Sequence, residues 1–217
     1  MNMEQPAGDS TENNPAPKWQ TLDSSQRRIL GVLIEKAKTT PDGYPLSINA
    51  LANGCNQKSN RDPQMNLDVD DVEVSLSELR QMGAIAEIQG GGRVAKYRHY
   101  AKDWFGVDKF ELAVIAELML RGEQTLGDLR GRAARMEAIA DIGALRPIVA
   151  SLIEKGLMIE LTLAGRGQMV THNLYKPEEL GRLREKFGPA PAPGSTAQEP
   201  TAKNCPSQSS SLQNETA

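Results

Sequence analysis

The sequence has few of the residues on which metal centres, disulfides and membrane spans depend. Its two cysteines, Cys55 and Cys205, lie in unlike surroundings and form no disulfide framework. Its two histidines, His99 and His172, have no cysteine or histidine nearby at the spacing of a metal site. No apolar run approaches the roughly 20 residues of a membrane-spanning helix, and the polar N-terminus does not resemble a signal peptide. We therefore expect a cytoplasmic protein with no cofactor and no membrane partner.

Catalytic patterns are also missing from the sequence. It contains no plausible nucleophile–base pair. The glycines of residues 90–92 fall between two predicted strands, as in a hairpin tip, whereas a phosphate-binding loop joins a strand to a helix. A formal net charge of −3 gives no overall attraction to nucleic acid. The sequence therefore predicts a binding protein and not an enzyme.

Both ends of the chain have few large apolar residues. Residues 1–18 and 188–217 are rich in proline, alanine and polar side chains, and they bury too little surface to offset the entropy lost on folding. We predict that both segments are disordered tails. The part between them, about 170 residues, is long enough for two small hydrophobic cores.

The first predicted domain, residues 19–104, consists of three helices followed by a hairpin. Apolar residues recur at helical spacing in each helix, and glycine at position 83 ends the third. Two strands are predicted on either side of the glycine turn, over residues 84–88 and 94–100. The residues that we expect to cap the three helices are Asp23, Ser47 and Asp68.

The second predicted domain, residues 105–187, repeats this order and adds a short closing helix from Pro177. Its strands are predicted over residues 157–163 and 168–175. The expected capping residues of its three helices are Asp108, Thr125 and Asp141. Because a proline inside a helix costs about 3 kcal/mol, Pro147 suggests that the third of these helices begins near Leu145 instead.

The repeated order of helix, helix, helix and hairpin predicts the fold class. A three-helix core covered by a hairpin is the winged helix, a variant of the helix-turn-helix. We therefore predict an α+β, mostly helical protein, with two tandem winged-helix domains between disordered N- and C-terminal tails.

Basic residues near the predicted hairpins and second helices are the candidates for phosphate contact. They are Lys58, Arg61, Arg93, Lys96, Arg98, Arg130, Arg132 and Arg135. Each group also has a plainer interpretation: a solvated strand face for the first hairpin, a solvated turn for the arginine cluster after residue 129, and a braced loop around Arg61. The third helix of the first domain is acidic, so it is a poor candidate for reading DNA.

The helix predicted over residues 108–120 is apolar on more than one face. Such a helix needs burial from several sides. We expect it to pack between the two domains or to form a homodimer interface, and the plain alternative is a deep core helix.

Three strings carry a family resemblance: TTPDGYPLSIN (39–49), CNQKSNRDPQMNL (55–67) and MLRGEQTLGDLRGRAARM (119–136). Together with VAKY (94–97), they resemble the YceH-like family of uncharacterised bacterial proteins over roughly residues 22–176. The resemblance implies a tandem winged-helix fold, supplies no biochemical function and identifies no catalytic residue. Some relatives carry a C-terminal coiled coil, which this sequence lacks.

Two functions remain open on the sequence. The first is a DNA-binding transcriptional regulator, suggested by the predicted fold and the basic residues named above. The alternative is an adaptor that binds another protein through its winged-helix domains without touching DNA, suggested by the balanced charge and the acidic third helix.

Overall fold

The computed structural model describes residues 18–89 and 94–188. Nearly all of the two predicted tails and the tip of the first hairpin, with Arg93, lie outside these residues. The protein belongs to the α+β class and is mostly helical, with two small antiparallel sheets. No helix within the two described stretches is long and apolar enough to span a bilayer.

The first unit comprises the elements from residue 24 to residue 99, and a short helix follows it. These elements are α1 (Ser24–Thr39), β1 (Leu46–Ser47), α2 (Ile48–Cys55), α3 (Val69–Gln81), β2 (Ile85–Ile88), β3 (Lys96–His99) and the following helix α4 (Ala101–Phe105). All three predicted capping residues are confirmed, because each side chain accepts a backbone N–H from the first turn of its helix. The helix α4 was not predicted, since five residues are too few to show a period.

The second unit comprises the elements from residue 109 to residue 172, and it is followed by a closing helix. These elements are α5 (Lys109–Arg121), β4 (Gln124–Thr125), α6 (Leu126–Ala133), α7 (Ile142–Glu154), β5 (Met158–Glu160), β6 (Met169–His172) and the closing helix α8 (Pro177–Phe187). The three predicted capping residues are again confirmed. The expectation that α7 begins near Leu145 is wrong: Asp141 caps it, and Pro147 lies exposed inside it. Its missing N–H leaves one carbonyl of the first turn without a helical partner.

Each unit contains a three-stranded antiparallel sheet with the same strand order, β1-β3-β2 in the first and β4-β6-β5 in the second. The first strand of each sheet has only two residues and was not predicted. At the start of each hairpin a glycine with positive φ ends the preceding helix, 75° at Gly83 and 69° at Gly156. The two units therefore share their topology as well as their element order.

The two units share one hydrophobic core, in contrast to the two small cores that the sequence suggested. The helix α5 packs against α1 of the first unit as well as α6 and α7 of its own. The approach of α1 to α5 is close, since a Cβ on Gly31 would lie 3.0 Å from Leu120 Cδ2. Every residue from Glu111 to Leu120 is buried. The helix thus packs between the two halves and is at the same time a deep core helix, and its buried residues leave no free face for a homodimer interface.

The chain segments at the two ends of the described region also meet. The backbone N–H of Leu22 donates to the Leu174 carbonyl at 2.8 Å. Arg27 of α1 forms a bidentate ion pair with Glu179 of α8, with distances of 2.6 and 2.8 Å. The closing helix therefore joins the second unit to the start of the first.

The two histidines hold equivalent positions at the ends of β3 and β6. His99 Nδ1 accepts the backbone N–H of Ala101, and His172 Nδ1 accepts that of Leu174. Burial lowers the pKa of both imidazoles, helped by nearby cations, and brings that of His99 to about 4. Both rings are therefore neutral structural acceptors.

Replacement His99→Asn is expected to make the protein less sensitive to acid. Because the folded pKa of His99 lies below the unfolded value of 6.5, the unfolded state binds the proton first as the pH falls, and stability is lost between about pH 6.5 and 4. Asparagine keeps an acceptor near the position of Nδ1 and does not titrate. Urea unfolding at pH 7 and pH 5 should show that the wild type loses about 1–2 kcal/mol more than the variant. Equal losses would contradict the assignment.

Candidate functional site

The first hairpin exposes two of the predicted basic residues. Lys96 and Arg98 alternate along β3 with the half-buried Tyr97 and His99, so both point away from the core. The Arg98 guanidinium lies over the ring of Tyr100, 5.2 Å from its centroid. Neither cation pairs with a carboxylate in residues 18–89 or 94–188. This strand face is free to meet a partner.

The loop after α2 holds Lys58 and Arg61 in opposite settings. Lys58 is exposed. The Arg61 side chain is buried, and it donates to Glu35 Oε2 at 2.6 Å and to the carbonyls of Gly54 and Asn60 at 3.0 and 2.8 Å. The predicted brace is therefore present, and its carboxylate partner is Glu35 of α1. Arg61 has no surface left for phosphate contact.

The arginines at the end of α6 keep part of their surface exposed, but each also has a partner within the protein. Arg135 pairs with Glu35 at 3.2 Å and with Glu117 at 2.9 Å. Arg132 donates to the side chain of the buried Gln124 at 2.8 Å, and Arg130 donates to the Ala140 carbonyl. The structure thus gives each of the three arginines a partner within the protein.

These contacts form an interface ion network between the units, made of Glu35, Arg61, Glu117, Arg121 and Arg135. Glu35 comes from α1 and Glu117 from α5, and their side chains are 3% and 0% exposed. Burial alone would raise the pKa of Glu35, but the hydrogen bonds and charge of Arg61 outweigh it and hold the pKa below 4.5.

Glu117, the second buried carboxylate, has fewer hydrogen bonds to offset the burial of its charge than Glu35 has. Glu117 Oε1 lies 3.1 Å from Arg121 Nε without hydrogen-bond geometry, and Arg135 alone donates well to this carboxylate. Burial therefore raises the pKa of Glu117 despite the opposing charges of Arg135 and Arg121. The network stabilises the seam chiefly through Glu35 and Arg61.

Sequence reasoning missed both glutamates, although one signal was available. Glu117 stands in the middle of a helix that is apolar nearly all round, and glutamate is seldom fully buried without a partner. That position predicts an ion pair with a distant arginine, but it does not say which one.

The thiol of Cys55 is also buried, and burial raises its pKa to about 12, so it is no nucleophile.

The outer face of α3, the third helix of the first unit, is acidic. Asp70, Glu73 and Glu78 are exposed there, and Arg80, its basic residue, pairs with Glu87 of β2 at 2.7 Å. The acidic side chains that the sequence placed on this helix are therefore exposed, and their charge disfavours phosphate contact.

The outer face of α7, the third helix of the second unit, is mostly apolar. Ile142 and Ile153 are 43% and 36% exposed. Pro147 and Ala150 are exposed between them, and the charged residues of this face are Arg146 and Glu154. We call these six residues the α7 face. Because most of its side chains are apolar, this face would lose its water readily on contact with a protein.

The described residues hold no group of three or more His, Cys, Asp or Glu side chains placed to bind a metal ion. The carboxylates of the interior are instead committed to arginine and lysine partners, as in the ion network and at Glu111, which Lys155 approaches to 2.7 Å.

Comparison with known proteins identifies relatives of the chain but no activity. Residues 22–166 match the family described as "Protein of unknown function, DUF480". A UPF0502 protein of Rhodopirellula baltica is 53% identical over 184 residues, which cover 85% of this chain and 76% of that protein. A UPF0502 protein of Pelobacter propionicus is 44% identical over 175 residues, covering 79% of this chain and 80% of that protein. The chain belongs to the DUF480, or UPF0502, family of uncharacterised bacterial proteins.

Proposed function

We propose that this protein is a tandem winged-helix binding protein without catalytic activity, and that its principal partner is another protein bound at the α7 face. The two units have the helix order of winged helices and a sheet that combines the hairpin with a short additional strand. In winged helices that bind DNA, the third helix enters the major groove. The corresponding helices here are α3 and α7.

The composition of the α7 face is the observation that carries this proposal. Nucleic-acid affinity comes largely from cations that neutralise phosphates, and this face offers Arg146 alone. Its exposed isoleucines, proline and alanine would instead lose water against an apolar partner surface, at about 25 cal/mol per Å² buried. The arginine cluster that favoured DNA has its partners within the fold.

DNA binding by the first unit is the second candidate, and one observation favours it. Lys96 and Arg98 project from β3, and Lys58 is exposed on the loop after α2. Three phosphate contacts would give a log–log salt slope of about −2.7. This candidate corresponds to a DNA-binding transcriptional regulator that uses its hairpin and not its third helix.

The test of the proposal is a comparison of three baits in the native cell extract: wild type, Ala150→Arg and Val74→Arg. Both substitutions place an arginine on an exposed helical position, but Val74 lies on α3. We expect crosslinking and mass spectrometry to identify proteins that the wild type and Val74→Arg capture and that Ala150→Arg does not. The purified partner should then bind directly to the wild type and to Val74→Arg. Identical sets from all three baits would refute binding at this face.

A duplex-DNA titration at several salt concentrations tests the second candidate on the same proteins. Binding with the slope given above, weakened roughly tenfold or more in Lys96→Ala/Arg98→Ala, would support it. No binding at low salt would remove it. Ala150→Arg should not weaken DNA binding, so the two experiments separate the two functions.

A further inference from the structure

A cavity of about 430 Å³ lies at the seam between the units. Its walls come from α1, the loop after α2, the end of α5, β6 and α8, and none of its lining residues belongs to α7. The volume falls in the range of small-molecule sites, roughly 300–1,000 Å³. An occupant would touch both units and the closing helix at once.

One wall of this cavity contains a buried arginine with no carboxylate partner. Arg28 is 2% exposed, and its terminal nitrogens donate to the carbonyls of Cys55 at 2.9 Å and Pro63 at 2.6 Å. Its Nε has no hydrogen-bond partner. Burying a cation away from water is costly unless a negative charge lies nearby. The two carbonyls hold the guanidinium in place, and no carboxylate of the described residues forms an ion pair with it.

Most of the other charges around the cavity cancel in pairs. Arg27 pairs with Glu179, Lys186 with Glu123, and Arg121 with the buried Glu117 behind it. Among the lining residues, Arg28 and Arg182 then remain without an ion pair, against a single carboxylate, Asp62. The cavity therefore carries an excess of positive charge, with Arg28 contributed by α1 and Arg182 by α8.

The rest of the lining is apolar or aromatic. Met65, Met119 and Leu183 contribute apolar surface, whereas the ring of Tyr175 is covered by His172, with the centroids 4.0 Å apart, and by the Arg27 guanidinium, 4.7 Å from its centroid. Since His172 Nδ1 accepts a backbone N–H, the neutral ring carries its proton on Nε2 and is a donor. The cavity thus combines a buried and an exposed cation with surface that suits an apolar body.

We propose that this cavity binds a small organic anion, with its carboxylate or phosphate group bound by Arg28 and Arg182 and its apolar or aromatic body against Met65, Met119 and Leu183. The inference goes beyond the proposed function, because it needs neither a protein partner nor DNA. Binding would tie α8 to α1 and so hold the two units together.

The experiment uses the full chain and three probes: phenyl phosphate, benzoate and, as the neutral control, benzyl alcohol. Ligand-observed NMR titration gives the dissociation constants. Arg182→Glu is the test variant, and Arg184→Glu is its control, because Arg184 lies on the same helix and does not line the cavity. We expect millimolar or tighter binding of at least one anion and at least a tenfold weakening in Arg182→Glu, about 1.4 kcal/mol. Arg184→Glu should bind as the wild type does.

The buried arginine is tested by Arg28→Met, with its fold checked by circular dichroism. A folded Arg28→Met protein should lose anion binding, and if the variant fails to fold, Arg182→Glu decides alone. The proposal is overturned if neither anion binds the wild type, if benzyl alcohol binds as tightly as the anions, or if Arg182→Glu leaves the affinity unchanged.

Discussion

The substitution Glu35→Gln is expected to lower the free energy of unfolding by about 3–5 kcal/mol at pH 7. The change keeps the size of the side chain and removes its charge, so the buried Arg61 guanidinium, with 0% of its side chain exposed, loses its ion-pair partner. The carbonyls of Gly54 and Asn60 still accept from it, but they do not neutralise it. Chemical unfolding monitored by circular dichroism measures the difference.

Two further variants separate the charge effect from a general effect of substitution. Glu73→Gln removes an exposed carboxylate of α3 and should change stability by less than about 0.5 kcal/mol. Glu35→Gln combined with Arg61→Met removes both charges of the pair, and it should recover part of the loss, because no unpaired buried charge remains. A Glu35→Gln protein as stable as Glu73→Gln would show that the pair contributes nothing.

The pH dependence provides an independent check. The folded pKa of Glu35 lies below its ordinary value of 4.5, so its stabilisation is complete above that value and is lost as the pH falls through the folded pKa. The gap between wild type and Glu35→Gln should therefore shrink below about pH 4.5. Glu117 has a raised pKa, which makes its charge unfavourable to folding near neutral pH. Glu117→Gln should consequently cost less than Glu35→Gln.

Local signals in the sequence predicted most of the secondary structure. Capping residues and glycines with positive φ act within a few residues of chain, so Asp23, Asp68 and Gly83 located helix ends correctly. Proline at position 147 misled the prediction, because the cap formed by Asp141 and the apolar contacts of α7 outweigh the loss of one helical hydrogen bond. The short strands β1 and β4 exist only by pairing with β3 and β6, distant partners that a local pattern does not contain.

The role of the arginines was less predictable, because a carboxylate partner of the cluster, Glu35, also lies far away in the sequence. Arg130, Arg132 and Arg135 look from the sequence like a basic patch, but the residue that engages Arg135 from α1 lies 100 positions away. An arginine cluster beside a turn is the same string whether it faces solvent or a buried glutamate. The cavity and the α7 face depend likewise on how the two units pack, which the helix pattern does not specify.

The shared core leads to the second large effect, a single cooperative unfolding transition for both units. Leu120 is fully buried on α5 where that helix meets α1 at Gly31. Leu120→Ala should destabilise the protein by about 2–5 kcal/mol, from lost burial and the cavity left behind. If the units folded separately, a defect in α5 would melt the second unit and leave the first intact. Because one core spans both units, we expect the whole chain to lose stability together.

The two tryptophans of the chain permit a direct measurement. Trp104 donates to the Met82 carbonyl of the first unit, and Trp19 lies beside Gly156 of the second. With Trp19→Phe and Trp104→Phe as single-tryptophan backgrounds, the fluorescence midpoints should coincide, and Leu120→Ala should shift both equally. Leu163→Ala, which truncates a 64% exposed side chain, is the control and should shift neither. Two separate midpoints, or a shift seen by Trp19 alone, would mean that α1 and α5 do not join the units into one folding unit.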